Sequence, residues 1–413
     1  MINKIKDFKL AIIGLGYVGL PLALEFAKKR KVIGFDINKD RVNQLNAGID
    51  KNLEFSKTKL KSSKQLKFSS SKNDLKYANC YIVTVPTPID KFKKPDLKPL
   101  FKSSKIISRV INKGDLIIYE STVYPGCTEK ILKKILFAKK LNFFLGISPE
   151  RVNPGDKKHT LNNIVKITSG ADNFSKKLTK ELYEKIINRK MIKSVSEIRI
   201  AEMAKLLENS QRDINIAFMN EVFKICENLN INFNETLQAA YTKWNFLKFN
   251  PGLVGGHCIG VDPYYLDYSA KKNGYKTKLI LAGRNINNEM FKFIKKKILL
   301  KLKKINPNTK KFKILICGAT FKENVSDIRN SQCLNLFMSL KKEGHLVHLF
   351  DPLIQKKSLK KSISSNLKKN LNNKFYHYCF IGVKHDIFHK LGKSFFIKKC
   401  KPNHFIYDFK KVF

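Results

Sequence analysis

Residues 9–19, with the sequence KLAIIGLGYVG, join a short apolar run to three glycines at the spacing G-x-G-x-x-G. The pattern of Leu20–Lys29 is typical of a helix, and Lys31–Phe35 form a second apolar run that ends at Asp36. Short apolar runs on either side of a helical pattern predict a βαβ unit. Glycines at this spacing permit a tight turn, close approach of the backbone to a pyrophosphate and close packing of the helix. The segment therefore predicts an α/β fold that opens with a dinucleotide-binding turn.

The acidic residue after the second apolar run makes this motif more specific. Asp36 lies 20 residues beyond Gly16, at a strand end where a carboxylate can accept hydrogen bonds from ribose hydroxyls. Because this carboxylate would repel a 2′-phosphate, NAD is favoured over NADP, and Arg41 is placed to contact the adenosine side. A glycine turn that serves only packing is the alternative. The cofactor-binding residues expected here are Gly14, Gly16, Tyr17, Val18, Gly19, Asp36 and Arg41.

Further apolar runs extend the predicted sheet through the first half of the chain. They are Cys80–Val85, Leu116–Glu120 and Phe143–Ile147, with helical patterns between them, as in a doubly wound parallel sheet. Ser56–Lys72 is rich in Ser and Lys and is expected to be a surface segment. A helical pattern without Pro or Gly covers Ser196–Asn228 and predicts a long helix that joins domains or forms a dimer.

A second α/β unit is expected in the last third of the chain. Lys313–Cys317 and Leu346–Phe350 have the pattern of strands, and Asp351 follows the second of them as Asp36 follows its own strand. Phe375–Val383 supplies a further strand, but no G-x-G-x-x-G turn is present. The sequence thus predicts three domains: 1–195, which binds NAD, 196–304, which is helical, and 305–413, which is Rossmann-like.

The composition limits the classes of partner. Of the 413 residues 43% are hydrophobic, as in a folded globular protein. The formal net charge of +48 suggests nucleic-acid binding, but only nine of the 81 basic residues are Arg, and Lys is spread along the whole chain. Proteins that read nucleic acids rely on Arg for bidentate contacts. We therefore interpret the charge as a solvated Lys-rich surface and expect no nucleic-acid partner.

The cysteines and the N-terminal apolar run indicate a cytoplasmic location. The eight cysteines show neither C-x-x-C pairs nor a metal-ligand spacing with His, so reduced thiols and no metal site are expected. The apolar run Leu10–Phe26 is interrupted by three glycines and a proline. It therefore predicts strand, turn and helix, and neither a targeting segment nor a membrane span.

Residues 253–266, with the sequence LVGGHCIGVDPYYL, carry the most reactive candidate side chain. Cys258 follows Gly255 and Gly256, which allow a ligand to approach, and His257 and Asp262 are nearby polar residues. A thiolate can capture an aldehyde as a thiohemiacetal, which can then lose a hydride. Together with a dinucleotide-binding turn, this cysteine suggests a double oxidation from alcohol to acid. A buried structural thiol is the alternative.

Other polar residues lie where they could assist such chemistry. Lys205 and Asn209 are four residues apart on the predicted long helix and could donate hydrogen bonds to an oxyanion. A solvated polar stripe is the alternative for both. Thr122 and Glu150 follow strands of the first sheet, and Glu150 could position or deprotonate a water. Lys322 and Arg329, which follow the first strand of the second sheet, offer two cations for phosphate.

These segments together resemble the UDP-glucose/GDP-mannose dehydrogenase family, from Gly14 to about Asp386. The matching motifs occur in the family's order; they are the glycine turn, Val85-Pro-Thr-Pro88, Glu120-Ser-Thr122, Ser148-Pro-Glu-Arg151, Lys205-x-x-x-Asn209, Gly255-Gly-His-Cys258 with Asp262, and Phe321-Lys322 with Asp327-x-Arg329. The resemblance implies two Rossmann-like doubly wound domains joined by a central long-helix dimerisation region. The last domain would hold the nucleotide of a UDP-sugar.

The resemblance also implies a role for each residue of the site. Cys258 would be the nucleophile, Lys205 and Asn209 would stabilise oxyanions, and Asp262 would assist proton transfer. Thr122 and Glu150 would handle the water that hydrolyses a thioester. The remaining implied residues are Thr87, Ser121 and Arg329 for the cofactor, and Arg151, Gly255 and Lys322 for the substrate.

Within this family, Tyr241-Thr-Lys-Trp-Asn-Phe-Leu is similar to the branch that oxidises UDP-N-acetylhexosamines for surface polysaccharides. One departure is Asn250, since that branch has Arg at this position. The sequence thus favours NAD-dependent oxidation of the C6 alcohol of UDP-N-acetylglucosamine by a cytoplasmic homodimer. The alternatives are UDP-N-acetylmannosamine, UDP-N-acetylgalactosamine or UDP-glucose as substrate, an ordinary two-electron dehydrogenase, or a nucleotide- or nucleic-acid-binding protein without activity.

Overall fold

The structure is a computed structural model that describes residues 8–136, 142–152, 156 and 158–413. Among these residues the chain forms two compact units. Unit 1 comprises the described residues of Met1–Glu208 together with Tyr264–Lys276, and unit 2 comprises Asn209–Pro263 together with Thr277–Phe413. In the described residues each unit is built on a β-sheet with flanking helices, which confirms the predicted α/β class.

The sheet of unit 1 is mostly parallel. Its strands, counted over the described residues, are β1 (Leu10–Ile13), β2 (Val32–Phe35), β3 (Leu66–Ser69), β4 (Cys80–Val83), β5 (Leu116–Tyr119), β6 (Phe144–Ile147), β7 (Lys166–Gly170) and β8 (Ile192–Ser194). They lie in the order β3-β2-β1-β4-β5-β6-β7-β8, and β6 pairs with β7 in the antiparallel sense. The strand order reverses between β1 and β4, which is where doubly wound sheets bind ligands.

The helices of unit 1 cover this sheet, and three of those in the described residues begin at a polar residue whose side chain caps the first turn. The helices are α1 (Gly19–Ala27), α2 (Lys39–Asn46), α3 (Lys57–Ser62), α4 (Lys98–Ser108), α5 (Lys133–Leu136) and α6 (Asn173–Tyr183). Asn38 caps α2 and Asp172 caps α6, each accepting a hydrogen bond from a backbone N–H of the first turn. Such a cap contributes about 1 kcal/mol to stability. Leu22 and Phe26 of α1 share a buried core with Ile12 of β1.

A helix of 31 residues, α7 (Ile198–Asn228), contributes to both units. The other helices from there on are α8 (Phe233–Ala240), α9 (Asp262–Lys272), α10 (Leu279–Ile305), α11 (Gln332–Lys342), α12 (Lys361–Ser364) and α13 (Asp386–Lys399). The strands of unit 2 are β9 (Lys313–Cys317), β10 (Leu346–Phe350), β11 (Tyr376–Ile381) and β12 (Cys400–Asp408). They form a parallel sheet in the order β10-β9-β11-β12. Ile294 and Ile298 of α10 share the main core of this unit with Ile314 and Ile316 of β9.

Most predicted elements are present, and a few strands were missed. The long helix and the strands at Lys313–Cys317 and Leu346–Phe350 are confirmed. Ser56–Lys72 is mainly exposed or half-buried, but it also holds α3 and the edge strand β3. Strands β7, β8 and β12 were not predicted, whereas the three-domain division remains a prediction. Across the described segments no helix is both long and apolar enough to cross a membrane.

Candidate active site

The glycine turn follows β1, and its geometry explains why glycine is needed there. Gly14 has a φ of +101°, and its N–H donates to the carbonyl of Phe35 at 2.8 Å. A Cβ on Gly19 would lie 1.8 Å from the carbonyl oxygen of Gly14, so a larger residue does not fit. At Gly16 no atom lies within 4 Å of an added Cβ, which leaves open space beside the turn. Because a pyrophosphate needs this open backbone, the turn fits the predicted cofactor.

Asp36 and Arg41 lie beside the turn. Asp36 Oδ2 accepts a hydrogen bond from the N–H of Leu15 at 2.9 Å, and the residue remains half-buried. A partly exposed carboxylate at this position can accept ribose hydroxyls. Arg41 is buried, with Nε donating to the carbonyl of Leu15 at 3.0 Å and Nη1 paired with Asp50 at 2.8 Å. Arg41 therefore braces the turn, and its contact with the adenosine side stays a prediction.

The loops after β4 and β5 carry three of the predicted residues. Ser121 Oγ donates to the carbonyl of Val85 at 2.7 Å and so ties the two loops together. Thr87 and Thr122 lie in these loops and are half-buried. All three are thus at the carboxyl edge of the sheet, where ligands of such folds bind.

Glu150 follows β6 and is held by several hydrogen bonds. Its Oε1 accepts two backbone N–H groups at 2.6 and 2.5 Å, and its Oε2 lies 3.1 Å from Lys166 Nζ. Lys166 extends from β7, is fully buried, and also lies 2.8 Å from Glu120 Oε2. The hydroxyl of Tyr183 on α6 donates to the other oxygen of Glu120. A buried lysine thus lies between two carboxylates.

The two carboxylates respond to this environment in opposite ways. Burial raises the pKa of Glu120 to about 7, although Lys166 acts against this. Burial would also raise the pKa of Glu150, but Lys166 and a backbone N–H outweigh it and lower that pKa. Burial would lower the pKa of Lys166, but the two carboxylates raise it. Adjacent carboxylates with pKa values shifted in opposite directions are typical of acid–base sites.

Arg151 and Lys205 are two predicted cationic residues in the same unit as Glu150. Arg151 forms an ion pair with Glu208 at 2.8 Å and donates to the carbonyl of Val165 at 2.7 Å. Its contact with substrate therefore stays a prediction. Lys205 on α7 is buried, and its charge helps to lower the pKa of Glu150.

In unit 2, the loop before α9 carries Cys258. All eight cysteines lie in the described part of the chain, and among them Cys258 alone is partly exposed. Gly256, with a φ of +85°, donates to the carbonyl of Arg329 at 3.1 Å and accepts from Asn330 at 2.9 Å. The carbonyl of Cys258 accepts the N–H of Asp262 at 2.8 Å. The thiol is thus carried on a backbone fixed at both sides, and it has the partial exposure that a nucleophile requires.

Asp262 and Asn209 come together within unit 2. Asp262 is only 2% exposed, and one of its carboxylate oxygens lies 2.5 Å from Asn209 Nδ2. Asn220, about three turns further along α7, accepts from the N–H of Gly252 at 2.9 Å and donates to its carbonyl at 3.0 Å. The loop that carries Cys258 is therefore anchored to the helix that carries Asn209.

A pocket in unit 2 opens beside the end of β9. Its lining includes Leu253, Thr320, Phe321, Lys322, Gln332 and Lys410. Burial lowers the pKa of Lys410. Two lysines against one carboxylate, Glu323, give the lining a net positive charge, which favours an anionic ligand such as a phosphate. Arg329, the other predicted cation, is bound by Asp327 through Nε at 2.9 Å.

The predicted residues are divided between the two units. Unit 1 holds the cofactor turn with Thr122, Glu150, Arg151 and Lys205, and unit 2 holds Asn209, Gly255, Cys258, Asp262, Lys322 and Arg329. Sequence reasoning missed Lys166, Tyr183, Asn220 and Lys410. Of Glu120, Lys166 and Tyr183, only Glu120 had a signal in the sequence, because it ends a predicted strand. The parallel sheet, the glycine turn and Asp36 define a dinucleotide-binding enzyme of the α/β class.

Comparison with known proteins identifies the family. The chain matches the NAD-binding domain of the UDP-glucose/GDP-mannose dehydrogenase family over residues 8–187, its central domain over 199–289 and its UDP-binding domain over 315–413. The chain belongs to this family. It is accordingly an NAD-dependent oxidoreductase of the nucleotide-sugar dehydrogenase type, and the predicted family and cofactor are confirmed.

Individual relatives match over nearly the full length. A UDP-N-acetyl-D-glucosamine 6-dehydrogenase of Salmonella typhi is 45% identical over 413 residues, covering 99% of this chain and 97% of the relative. A protein of the same name from Pseudomonas aeruginosa is 43% identical, covering 98% and 97%. A solved structure of a UDP-D-ManNAc dehydrogenase from Pyrococcus horikoshii superimposes with a TM-score of 0.85 at 28% identity, covering 98% and 96%.

Proposed function

We propose that this protein oxidises the C6 alcohol of UDP-N-acetylglucosamine to the carboxylate and reduces two NAD per turnover. The observation that carries the proposal is the full-length similarity to two proteins named UDP-N-acetyl-D-glucosamine 6-dehydrogenase, at 45% and 43% identity. The partly exposed Cys258 supports a four-electron route, because oxidation beyond the aldehyde is assisted by a thiol.

Cys258 is the proposed nucleophile. NAD, when bound, accepts a hydride in each of the two oxidations. After the first oxidation, the sulfur of Cys258 forms a bond to C6 of the aldehyde and gives a thiohemiacetal. Loss of the second hydride from C6, with loss of the hydroxyl proton, leaves a thioester. Water then attacks the carbonyl carbon, the C–S bond breaks, and the uronate is released.

Lys205, Asn209 and Asp262 are proposed to manage charge and protons during these steps. A lysine and an amide can donate hydrogen bonds to an oxyanion that develops on the substrate. The bond between Asn209 and Asp262 orients both side chains, so that Asp262 can accept a proton while Asn209 donates its second N–H. Thr122 and Glu150 are proposed to hold the hydrolytic water, and Glu150 is ionised as a base must be.

The remaining predicted residues are proposed to bind ligands. Lys322 would contact the UDP phosphates in the pocket that it lines, and this agrees with the match of residues 315–413 to a UDP-binding domain. Gly255 and Arg151 would contact the substrate. Thr87, Ser121 and Arg329 would contact NAD together with the glycine turn.

A panel of UDP-sugars tests the proposal. We expect two NADH per UDP-N-acetylglucosamine, with kcat/KM at least about tenfold higher than for the N-acetylmannosamine, N-acetylgalactosamine and glucose derivatives; tenfold corresponds to about 1.4 kcal/mol of transition-state binding. NADH release without uronate, or with one NADH per sugar, would contradict the four-electron route.

Cys258→Ser tests the thiol. A hydroxyl is a far weaker nucleophile at neutral pH than a thiol, so uronate formation should fall by roughly three orders of magnitude while binding of NAD and UDP-sugar persists. Calorimetric titration and uronate analysis measure the two properties separately. Uronate formation at the wild-type rate would show that the cysteine serves only packing.

UDP-N-acetylmannosamine is the second candidate substrate. It is favoured by the TM-score of 0.85 to the Pyrococcus horikoshii enzyme, whose identity to this chain is 28%. The same panel decides between the two sugars, since they differ only in the configuration at C2.

We also propose that the protein is a homodimer formed through α7. The helix carries large apolar side chains that are between 42% and 58% exposed and recur at helical spacing: Ile200, Met203, Leu207, Phe218 and Ile225. A row of exposed apolar residues indicates a protein interface. Light scattering should give twice the mass of one chain, and Phe218→Glu should reduce it to one; a wild-type monomer would contradict the proposal.

A further inference from the structure

The buried group around Lys166 contains two carboxylates that share this lysine. Lys166 and Glu120 have side chains with no exposed surface, whereas the side chain of Glu150 is 11% exposed. Lys166 Nζ lies 2.8 Å from Glu120 and 3.1 Å from Glu150, and Tyr183 donates to Glu120. Glu150 therefore connects this group to the surface, and Glu120 lies behind it.

Glu120 and Glu150 share Lys166, but they differ in their other cationic neighbour. Lys205 also acts on Glu150, whereas the cation that acts on Glu120 is Lys166. When both carboxylates are ionised, buried Glu120 must share its ammonium group with Glu150, which is unfavourable in a medium of low dielectric constant. Uptake of one proton by Glu120 leaves Lys166 paired with Glu150, so Glu120 is the carboxylate that can take up a proton.

We propose that Lys166, Glu120 and Tyr183 form a proton store behind Glu150. This store receives the proton that Glu150 removes from the hydrolytic water. The store rests on the proposed function, because its proton comes from hydrolysis of the thioester on Cys258. Glu120 acts through Glu150 and does not touch the substrate.

The proton transfer balances without any additional reactant. When water attacks the thioester carbon, one of its protons passes to Glu150 Oε2. Lys166 then gives a proton to Glu120 Oε2 and receives the one held by Glu150. The result is an ionised Glu150, a charged Lys166 and a neutral Glu120. The proton returns to solvent by the reverse route after the product has left.

The surroundings of the two carboxylates favour this direction of transfer. Burial raises the pKa of Glu120 to about 7, whereas Lys166 and a backbone N–H lower that of Glu150, so the proton is more stable on Glu120. The charged or titratable groups that face Glu120 are Lys166 from β7, Glu150 from the loop after β6 and Tyr183 from α6. Lys205 from α7 acts on Glu150 and stabilises its ionised form.

Glu120→Gln tests the store because glutamine keeps the shape but cannot take up the proton. The acyl-enzyme is formed in a single turnover, and its decay is followed by quenching and mass spectrometry of Cys258. In the wild type, hydrolysis should become faster as the pH rises through about 7, because Glu120 must be ionised before it can accept a proton. In Glu120→Gln, hydrolysis should be about 10- to 100-fold slower and lose this pH dependence, while formation of the acyl-enzyme stays unchanged.

Tyr183→Phe is a milder second variant, and it keeps the test decisive if Glu120→Gln folds poorly. The hydroxyl of Tyr183 donates to the ionised form of Glu120 and lowers its pKa. Its removal should therefore move the midpoint of the hydrolysis profile to higher pH. A structural role alone would change the thermal stability without moving this midpoint.

Asp115→Asn is the matched control. Asp115 is another buried carboxyl of unit 1, and burial raises its pKa to about 6. It lies at the opposite end of β5 from Glu120, so its replacement should leave the profile of acyl-enzyme hydrolysis unchanged. A matching change in this variant would overturn the assignment to Glu120.

The remaining outcomes separate the two proposals. If the wild type makes uronate and Glu120→Gln hydrolyses its acyl-enzyme at the wild-type rate and with the wild-type pH profile, the proton store is wrong and the proposed function stands. If the wild type makes neither acyl-enzyme nor uronate from any UDP-sugar, the proposed function is wrong and the store falls with it.

Discussion

The first turn of unit 1 and the first turn of unit 2 begin in the same way. Gly14 donates its N–H to the carbonyl at the end of β2 at 2.8 Å, and Gly318 donates to the carbonyl at the end of β10 at 3.0 Å. Both glycines have a positive φ, +101° and +84°. The N–H of the residue after each glycine donates to the aspartate that follows the neighbouring strand. This aspartate is Asp36 in unit 1, at 2.9 Å, and Asp351 in unit 2, at 2.7 Å. The same backbone design therefore occurs twice.

The two aspartates differ in what remains available to a ligand. Asp36 is half-buried, whereas Asp351 is 3% exposed and also accepts from Thr320 and contacts the fully buried ring of His385 at 3.2 Å. Two residues after the first glycine, unit 1 has the open Gly16 and unit 2 has Thr320. In unit 2 the side chain of His385 thus lies against the aspartate and the hydroxyl of Thr320 lies against His385, so the same fold surrounds its first turn with different groups in the two units.

Among the variants that test this comparison of the two turns, Gly19→Ala should have the largest effect on stability and NAD binding. Its Cβ would lie 1.8 Å from the carbonyl oxygen of Gly14 and 2.4 Å from Thr84 Oγ1, so the backbone of the turn must move. We expect a loss of more than about 4 kcal/mol of stability in unit 1 and no NAD binding. Gly16→Ala is the control: with no atom within 4 Å it should leave the unfolding temperature unchanged and weaken NAD binding only. Equal stability of the two variants would contradict this account of the turn.

Replacing each aspartate by alanine should separate their functions. Asp351→Ala leaves three backbone N–H groups without their acceptor and removes the contact with His385, and it should cost about 3 kcal/mol of stability while the KM for NAD is retained. Asp36→Ala should cost about 1 kcal/mol, but erode the preference for NAD over NADP at least roughly tenfold. Chemical denaturation and cofactor kinetics measure these effects. A strong wild-type activity with NADP would refute the role of Asp36.

Thr84→Val should have the smallest effect. The Thr84 hydroxyl donates to the carbonyl of Gly14 at 2.7 Å, and the corresponding residue of unit 2 is Gly382, which has no side chain. Loss of this hydrogen bond should cost about 1 kcal/mol and raise the KM for NAD several-fold. No change in either property would indicate that the turn is held by its backbone alone, as in unit 2.

Patterns that are local in sequence predicted most of the fold. The apolar runs of β1, β4 and β5 are buried on both faces and so are continuous in sequence. Strand β3 lies at the sheet edge, and its four residues, Leu66–Ser69, alternate between apolar and polar within a Ser- and Lys-rich stretch. The sequence could not distinguish this edge strand from a surface loop. Strand β7 begins with a lysine, which usually indicates exposure.

The same limit applies to the candidate site. Residues inside motifs, such as Cys258 and Glu150, were predicted because their neighbours restrict the chemistry. Lys166 and Glu120 are 46 residues apart and meet only because β5, β6 and β7 are adjacent in the sheet. In a chain with 81 basic residues, no local pattern separates one buried lysine from the exposed ones.

The unequal exposure of the cysteines provides a way to measure the fraction of protein that carries an intact Cys258 thiol. Seven of the eight cysteines, all within the described residues, are buried, and Cys258 is partly exposed. Electrophiles and oxidants react with accessible thiols first. A limiting electrophile applied to the native protein should therefore titrate one group per chain, and under the proposed function the fraction labelled gives the concentration of intact active centres. Storage in air should inactivate the preparation at this same residue, and a thiol reductant should restore it while the oxidation has not passed the sulfenic acid.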